Sequence, residues 1–509
     1  MKYEANNTRL AKNTLMLYCR TIFAMIISLY TSRVILLVLG VEDFGIYNVV
    51  GGLVAMFSII SGSLTSAISR YMTYELVKDN LERLRAIFST SINIQVVISI
   101  VVIVLGESLG LWFLCNMMNI PIDRIDEAII VLHCSLIAFV VNLISIPYNA
   151  AIIAHEKMSA FAYISILDVC LKLGVVFLLY ISPWDNLVTY SVLLLIESVI
   201  IRLIYGWYCG RNFPETKYKF TTDKSLVKEL SSFAGWNFFA NSAYMLNTQG
   251  VNILMNIFFG VTVNAARGIA IQVENALVKF SADFTTAINP QIIKSYASKN
   301  MQQVYLLVNR GAKFSYFLIL IIALPVLIET EFILELWLGI VPENTTTFIR
   351  LAIISAMIER LGQTGYAACM ATGTIKKYTI WITSVGCLVF PLSYIAFEIG
   401  APVEVSYLIF IIIYVVVNAV RLWIMKGLID FPIKTFITDV VIKMGYTTIT
   451  TIIFPIFVIV MLEQSTLRFI ISVLVCTLSS TIAIYMIGLT SDERRTVNLK
   501  IKSLYSKFR

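Results

Sequence analysis

Residues 40–80 read GVEDFGIYNVVGGLVAMFSIISGSLTSAISRYMTYELVKDN, and residues 260–300 align with them without a gap as GVTVNAARGIAIQVENALVKFSADFTTAINPQIIKSYASKN. The offset is 220 residues, and the surest matches are the Gly-Val starts, TSAI on TTAI, and the final asparagines. A repeat of this length in a hydrophobic chain is typical of two duplicated membrane bundles, from which many transporters are built. We therefore expect a duplicated membrane fold.

The composition is that of a membrane protein. Of 509 residues, 58% are hydrophobic and 14% are charged, and the mean hydropathy is +0.83. Soluble domains carry about 25% charged residues. The net charge of +8 comes from basic residues scattered in short loops, which indicates membrane topology and argues against a nucleic-acid partner. The eight cysteines form no CxxC motif and no Cys/His cluster, so we expect no disulfide framework, zinc site or other cofactor.

Segments of about 20 mostly apolar residues can each cross a bilayer as a helix. The first apolar segment is longer than a signal-peptide core and lacks a convincing cleavage site, so we expect it to be retained. Fourteen spans are predicted, at residues 14–38, 44–69, 87–114, 128–150, 159–181, 187–209, 232–259, 264–289, 304–328, 345–371, 378–400, 403–425, 435–462 and 466–489.

The charges between the spans predict their orientation. Nearly all Lys and Arg residues of the loops fall on one side, whereas the loops on the other side hold only Arg124 and Arg468. The positive-inside rule therefore places both termini in the cytoplasm. Six spans separate the two copies, and an even number preserves direction, so the halves are parallel repeats. The predicted all-α membrane fold has an N-lobe at 1–210 (helices 1–6), a cytoplasmic linker at 211–231, a C-lobe at 232–425 (helices 7–12), and two additional helices with a basic tail at 426–509.

Polar residues on one face of a span should contact protein or water instead of lipid. The seventh predicted helix has such a face, formed by Asn237, Asn241, Thr248, Asn252 and Asn256. Moved back by 220 residues, three of these positions fall on polar residues of the first helix, which are Thr21, Ser28 and Ser32. The pattern predicts a shared cavity, with hydrogen bonds between helices as the alternative. Helix two adds a face of small residues, suited to close packing or to cavity lining, at Gly51, Ala55, Ser58, Gly62, Thr65 and Ser69.

Charged residues inside spans are also candidates for function, because each costs at least about 2.5 kcal/mol at the bilayer centre. Arginine binds phosphate in a bidentate manner and keeps its charge in a poor solvent, which suits a lipid diphosphate. The predicted ligand-binding arginines are Arg20, Arg33, Arg267 and Arg360. The alternative is that they form ion pairs between helices.

Three acidic residues within spans are candidate proton or cation sites for coupling to H⁺ or Na⁺, namely Glu197, Glu274 and Glu359. Asp168 and Lys172 are spaced i, i+4, so a structural ion pair explains them at least as well as a functional role.

Residues 39–47 read LGVEDFGIY and resemble the LGxxxFGxY signature of bacterial polysaccharide exporters, the Wzx-like O-antigen flippases. That family belongs to the superfamily that also holds the multidrug and toxin extruders and the lipid II flippases. The resemblance extends over the chain through its length, fourteen spans and 6+6+2 plan, although the second copy reads GVTVN in place of the acidic turn.

The resemblance implies a flippase that moves undecaprenyl-diphosphate-linked oligosaccharide across the bacterial inner membrane by alternating access, for lipopolysaccharide, capsule or exopolysaccharide synthesis. It implies no catalytic residues. The expected partners are the lipid-linked substrate and membrane lipids, with a polysaccharide polymerase and a chain-length regulator as possible associates of a monomer. A lipid II flippase and a multidrug extruder are the nearest alternatives. A membrane glycosyltransferase or polymerase is an alternative from another class, but the longest external loop is short and has no DxD motif.

Overall fold

The computed structural model describes residues 2–58, 68, 71–72, 75–76, 80–155, 157–220, 224, 226–227, 244–372, 375–495 and 497–499. Within these ranges the chain is helical and contains no β-strand. The α-helices are α1 (Lys2–Ala55), α2 (Leu81–Leu105), α3 (Leu111–Asn116), α4 (Ile125–Ala154), α5 (Met158–Ile181), α6 (Asn186–Asn212), α7 (Val251–Phe259), α8 (Val261–Ala297), α9 (Met301–Ile328), α10 (Thr330–Leu338), α11 (Thr345–Arg360), α12 (Gln363–Ala371), α13 (Ile375–Gly386), α14 (Val389–Glu398), α15 (Val405–Ile429), α16 (Ile433–Phe436), α17 (Lys443–Met461) and α18 (Thr466–Ala483).

Short segments of altered helical pitch interrupt or precede these helices. Wider π-type turns, which shift the hydrogen-bonding register by one residue, occur at Gly106–Gly110, Leu246–Gly250, Ile437–Ile442 and Ile484–Gly488. Tighter 3₁₀ turns occur at Ile122–Arg124 and Pro214–Thr216.

The protein is a multi-pass membrane protein. Ten helical segments in the described ranges are long and apolar enough to cross a bilayer: Phe23–Ala55, Leu81–Asn116, Ile122–Ala154, Ser159–Ile181, Asn186–Asn212, Met301–Ile328, Lys376–Glu398, Val405–Ile429, Ile433–Met461 and Thr466–Gly488. The first covers most of two predicted spans, and the other nine each match one. The predicted seventh span lies partly outside the described residues, so the total of fourteen stays a prediction.

The two ends of the internal repeat have the same local structure. Gly40 bends α1 with φ 77° and ψ 175°, and Gly260 separates α7 from α8 with φ 83° and ψ −177°. Side chains rarely tolerate this backbone region, so the glycine in both copies has a conformational reason. Asn80 and Asn300 begin α2 and α9, where each side chain accepts a hydrogen bond from the backbone amide three residues on, at 3.0 and 3.1 Å. The offset of 220 residues therefore relates backbone conformation as well as sequence.

The chain divides into two compact units, residues 1–268 with 338–343 and residues 269–337 with 344–509. In the first unit, α4 packs along α6 and also contacts α1 and α2, and α1 packs along α5. In the second, α18 packs against α17 and α9, and α15 packs against α11 and α13. The predicted lobe boundaries at residues 210 and 232 stay predictions.

The acidic signature LGVEDFGIY holds the first unit together at the predicted external end. Asp43 accepts hydrogen bonds from Nε and Nη2 of Arg124, and Nη1 of the same arginine donates to Asp185 Oδ2 at 2.8 Å. Gly45 permits the start of α8 to approach, since a Cβ there would lie 2.1 Å from the carbonyl oxygen of Val261. The aspartate and the second glycine of the signature therefore have structural reasons.

The start of the predicted linker packs on the first unit. Nε2 of His155 lies 2.5 Å from Oε1 of Glu215, and the imidazole stacks on the ring of Phe213 at 4.2 Å. Further along, the hydroxyl of Tyr218 donates to Asn93 Oδ1 at 2.8 Å. Residues 213–218 are thus attached to the bundle, and the expectation from sequence that His155 is simply solvated is wrong.

Candidate functional site

A cavity of about 300 Å³ lies inside the first unit. Four helices supply its walls: α1, α4, α5 and α6. Gly51 and Ala55 line it, and a Cβ added at Gly51 would meet nothing within 4 Å. These two members of the small-residue face of helix two therefore line the cavity. Gly62, Thr65 and Ser69 of the same predicted face lie outside the described residues.

Three charged side chains meet in this cavity. Nζ of Lys172 lies 3.0 and 2.9 Å from the two carboxylate oxygens of Asp168, which confirms the predicted i, i+4 ion pair. Glu197 enters from α6 and lies within hydrogen-bonding reach of the Asp168 carboxyl group. The sequence singled out Glu197 alone, whereas the structure adds the pair on α5 to the same site.

Burial differs among these three groups. The side chains of Asp168 and Lys172 are 31% and 44% exposed, whereas Glu197 is only 5% exposed. No described residue donates a hydrogen bond to Oε1 of Glu197, although this oxygen is buried. Leaving an ionised carboxylate oxygen buried and unbonded is costly, so this position suits a proton or a donor group.

Aromatic rings form the wall of the cavity next to these charges. The rings of Tyr47 and Tyr190 pack edge to face, with centroids 4.8 Å apart at 65°. Tyr47 is the last residue of the LGVEDFGIY signature, and Tyr190 is 6% exposed. The signature therefore connects the external anchor at Asp43 to the wall of the cavity about one helical turn further along α1.

Arg267 lies elsewhere in the first unit and is 6% exposed. Its Nη2 donates to the carbonyl oxygens of Asn247 and Thr248, at 3.3 and 3.2 Å. These carbonyl groups belong to the π-type turn Leu246–Gly250, where the helical hydrogen-bonding pattern is altered. The structure thus shows Arg267 bound to the backbone at Thr248, and its predicted role in anion binding stays a prediction.

The described part of the predicted polar face on helix seven forms hydrogen bonds within the protein. Nδ2 of Asn264 donates to the carbonyl and side-chain oxygens of Asn252, at 2.8 and 3.0 Å. Nδ2 of Asn256 donates to Oδ1 of Asn264 at 3.0 Å, and Asn256 and Asn264 are fully buried. For Asn252 and Asn256, the alternative of hydrogen bonding between helices therefore describes the observed contacts.

Four predicted site residues near these helices yield less information. Arg33 is half-buried in α1. Asn237, Asn241 and the side chain of Arg20 lie outside the described part of the chain.

The remaining predicted residues belong to the second unit. Glu274 is half-buried in α8, and Glu359 and Arg360 end α11. The predicted tenth span breaks there, because α12 begins only after Gly362. Any side chain at Gly362 would overlap the guanidinium of Arg421, whose Nε donates to a tyrosine hydroxyl at 2.7 Å. Interrupted helices carrying charges are frequent at transporter sites, which keeps Glu359 and Arg360 among the candidates.

Comparison with known proteins places the chain among polysaccharide exporters and related transporters. A family model described as "Polysaccharide biosynthesis protein" matches residues 10–295, more than half of the chain. The uncharacterized membrane protein EpsK of Bacillus subtilis (strain 168) is 19% identical over 323 residues, which are 62% of this chain. The match spans 63% of the length of that relative.

Solved structures share the fold at low sequence identity. The lipid II flippase MurJ in an inward closed conformation is similar with a TM-score of 0.70 and 13% identity, over 93% of this chain and 98% of MurJ. The MATE multidrug transporter DinF-BH is similar with a TM-score of 0.58 and 15% identity, over 81% and 95% of the two chains. An inward-facing MATE transporter of the MOP superfamily gives 0.62 and 12%, over 81% and 98%.

Proposed function

The chain belongs to the family of polysaccharide biosynthesis proteins, and from this premise we propose that it is a flippase for undecaprenyl-diphosphate-linked oligosaccharide repeat units. It moves them from the cytoplasmic to the periplasmic leaflet of the bacterial inner membrane, for lipopolysaccharide, capsule or exopolysaccharide synthesis. The observation that carries the proposal is the family match on a chain with the fold of a lipid II flippase. Both termini are cytoplasmic, and the protein works as a monomer in this proposal.

The physical task explains why such a chain needs polar groups inside its bundles. A sugar head group cannot cross hydrocarbon without losing its hydrogen bonds to water, which is expensive for each unsatisfied group. A protein path replaces these bonds while the polyprenyl tail stays in lipid. The arginines Arg20, Arg33, Arg267 and Arg360 remain our candidates for contact with the diphosphate, because guanidinium groups bind phosphate oxygens in pairs.

Transport against a gradient needs an energy source, and we propose coupling to H⁺ or Na⁺. The candidates Glu197, Glu274 and Glu359 are each partly or fully withdrawn from solvent. Glu197 is favoured, since it alone of the three lines the described cavity. A polysaccharide polymerase and a chain-length regulator are proposed as associates that receive the product.

The test is made in cells and then in vesicles. Deletion of the gene is expected to leave lipid-linked repeat units intact and accumulated on the cytoplasmic face. Loss of their synthesis would instead indicate a glycosyltransferase. In vesicles, the purified protein should move a fluorescent lipid-diphosphate oligosaccharide, and substitution of Arg33 or Arg267 by Ala should slow this movement. Arg211→Ala, at an exposed position near the end of α6, is the matched control.

A lipid II flippase is the second candidate function, favoured by the TM-score of 0.70 to MurJ over 93% of the chain. The same vesicles decide between the two functions when they are loaded with lipid II. Faster movement of lipid II than of the oligosaccharide lipid would favour this second function.

A further inference from the structure

The cavity of the first unit holds an uneven set of charges. Asp168 and Glu197 contribute two carboxyl groups, and Lys172 contributes one ammonium group. Tyr47 is the other titratable group facing them from α1, and Tyr190 lies behind it on α6. The described residues with which α4 lines the cavity include no acidic or basic side chain.

The contact between Asp168 and Glu197 requires a hydrogen that neither ionised group has. Ionised carboxylates only accept hydrogen bonds, and two of them at close range repel each other. Since Lys172 already contacts both oxygens of Asp168, the ammonium group neutralises Asp168 first. A proton on Glu197 would satisfy its buried Oε1 and join the two carboxyl groups.

Lys172 also affects which ion can enter. A metal cation such as Na⁺ would need several oxygen ligands, and hard cations take them chiefly from carboxylate and carbonyl groups. Here both oxygens of Asp168 are within 3.0 Å of the lysine Nζ. The lysine therefore stands where a metal cation would find its best ligands.

We propose that Glu197 is the proton-binding site of the transport cycle and that Lys172 takes the place of a metal cation beside Asp168. This assignment rests on the proposed transport function and names the coupling ion of that function. A proton from water on one side binds a carboxylate oxygen of Glu197 and leaves to water on the other side. While Glu197 is ionised, its charge attracts Nζ of Lys172 away from Asp168, and this shifts the contact between α5 and α6.

Ion binding can be measured without any lipid substrate. Purified protein in detergent is titrated with NaCl at constant ionic strength, and bound ²²Na⁺ is counted. The wild type and Lys279→Met, a matched change at a lysine of α8, are expected to bind no Na⁺. Lys172→Met should bind Na⁺ once its ammonium group is gone, and Lys172→Met combined with Glu197→Gln should lose that binding. Saturable Na⁺ binding by the wild type that depends on Glu197 would overturn the proposal.

Proton coupling is then measured in vesicles with an imposed pH gradient. The wild-type transport rate is expected to rise at least tenfold with the gradient. Glu197→Asp should keep part of this response, whereas Glu197→Gln should lose it, with folding checked by the thermal unfolding midpoint. An unchanged gradient response in Glu197→Gln would reject the site while leaving the flippase function standing. If no lipid is moved but the Na⁺ result for Lys172→Met holds, the fault lies in the proposed substrate and the assigned ion site is supported.

Discussion

The buried ion pair between Lys313 and Glu493 gives the sharpest prediction about stability. Lys313 lies in α9 with 2% of its side chain exposed, and its Nζ is 2.5 Å from Oε2 of Glu493. Glu493 follows the last span, is 7% exposed, and also accepts a hydrogen bond from the backbone amide of Thr490 at 2.9 Å. The perturbation is Glu493→Met, which leaves the lysine charge buried without its described carboxylate partner.

The magnitude follows from the asymmetry of buried ion pairs. Removing one partner strands a charge and costs about 3–5 kcal/mol, whereas replacing both by apolar residues is often neutral or stabilising. Lys313→Met should cost less than Glu493→Met, because Nε of Arg310 lies 3.4 Å from the remaining carboxylate. The double variant Lys313→Met/Glu493→Met should recover most of the loss.

The pair also predicts how stability depends on pH. Burial by itself raises the pKa of Glu493, but the hydrogen bond from Lys313 and the Thr490 amide outweigh it, so the net pKa lies below the ordinary value. A carboxyl group whose pKa is depressed on folding stabilises the protein above its unfolded pKa, about 4.3 for Glu. That contribution is lost as the pH falls through the folded pKa, and the double variant should lack this acid-dependent loss.

The assay is reversible unfolding in mixed micelles with increasing SDS, followed by circular dichroism. Glu331→Met is the matched control, because its pair with Arg350 is 3.5 Å long and its side chain is 62% exposed. Such exposed pairs are worth about 0–1 kcal/mol. The reasoning is refuted if Glu493→Met stays within about 1 kcal/mol of the control, or if the double variant is as unstable as Glu493→Met.

Three further perturbations test other parts of the first unit. Gly45→Ala should lower the free energy of unfolding by about 1–3 kcal/mol or prevent folding, because its Cβ would overlap a backbone carbonyl of α8, while Gly174→Ala has open space and should be harmless in the same SDS titration. Burial alone raises the pKa of Glu215, but the hydrogen bond with His155 brings it below the ordinary value, so acidification through that range should release the linker and speed its proteolysis severalfold; Glu215→Gln should be cleaved at a rate independent of pH. Arg124→Met should lower the unfolding free energy by about 1.5–3 kcal/mol, because two aspartates lose their charged donor; a loss below 0.5 kcal/mol would count against the anchor.

Much of the fold could be read from the sequence, because lipid imposes a simple rule on it. A helix that crosses a bilayer must be apolar for about 20 residues, so its length and position are recorded in composition. The predicted break at Gly40 and the offset to Gly260 are confirmed by matching backbone angles for the same local reason. The i, i+4 pair of Asp168 and Lys172 was likewise readable, since helical spacing alone brings the two side chains together.

The partners of isolated polar residues could not be read in this way. Nothing in the sequence around Glu197 shows that α5 supplies an ion pair beside it, or that the face of Asn252 closes on a neighbouring helix. Such contacts depend on how the helices are rotated and offset against each other, and many packings satisfy the same apolar pattern.

The sequence by itself thus determined a duplicated, multi-pass helical chain whose repeat preserves a glycine bend and an asparagine cap. Tertiary structure decided which polar groups meet: Asp168, Lys172 and Glu197 in one cavity, Arg267 on the backbone of a π-type turn, and Glu493 on a buried lysine. The physical reason is range. Hydrophobic length and backbone conformation act along the chain, whereas a charge inside a membrane protein is paired by whichever distant helix packing brings within a few ångströms.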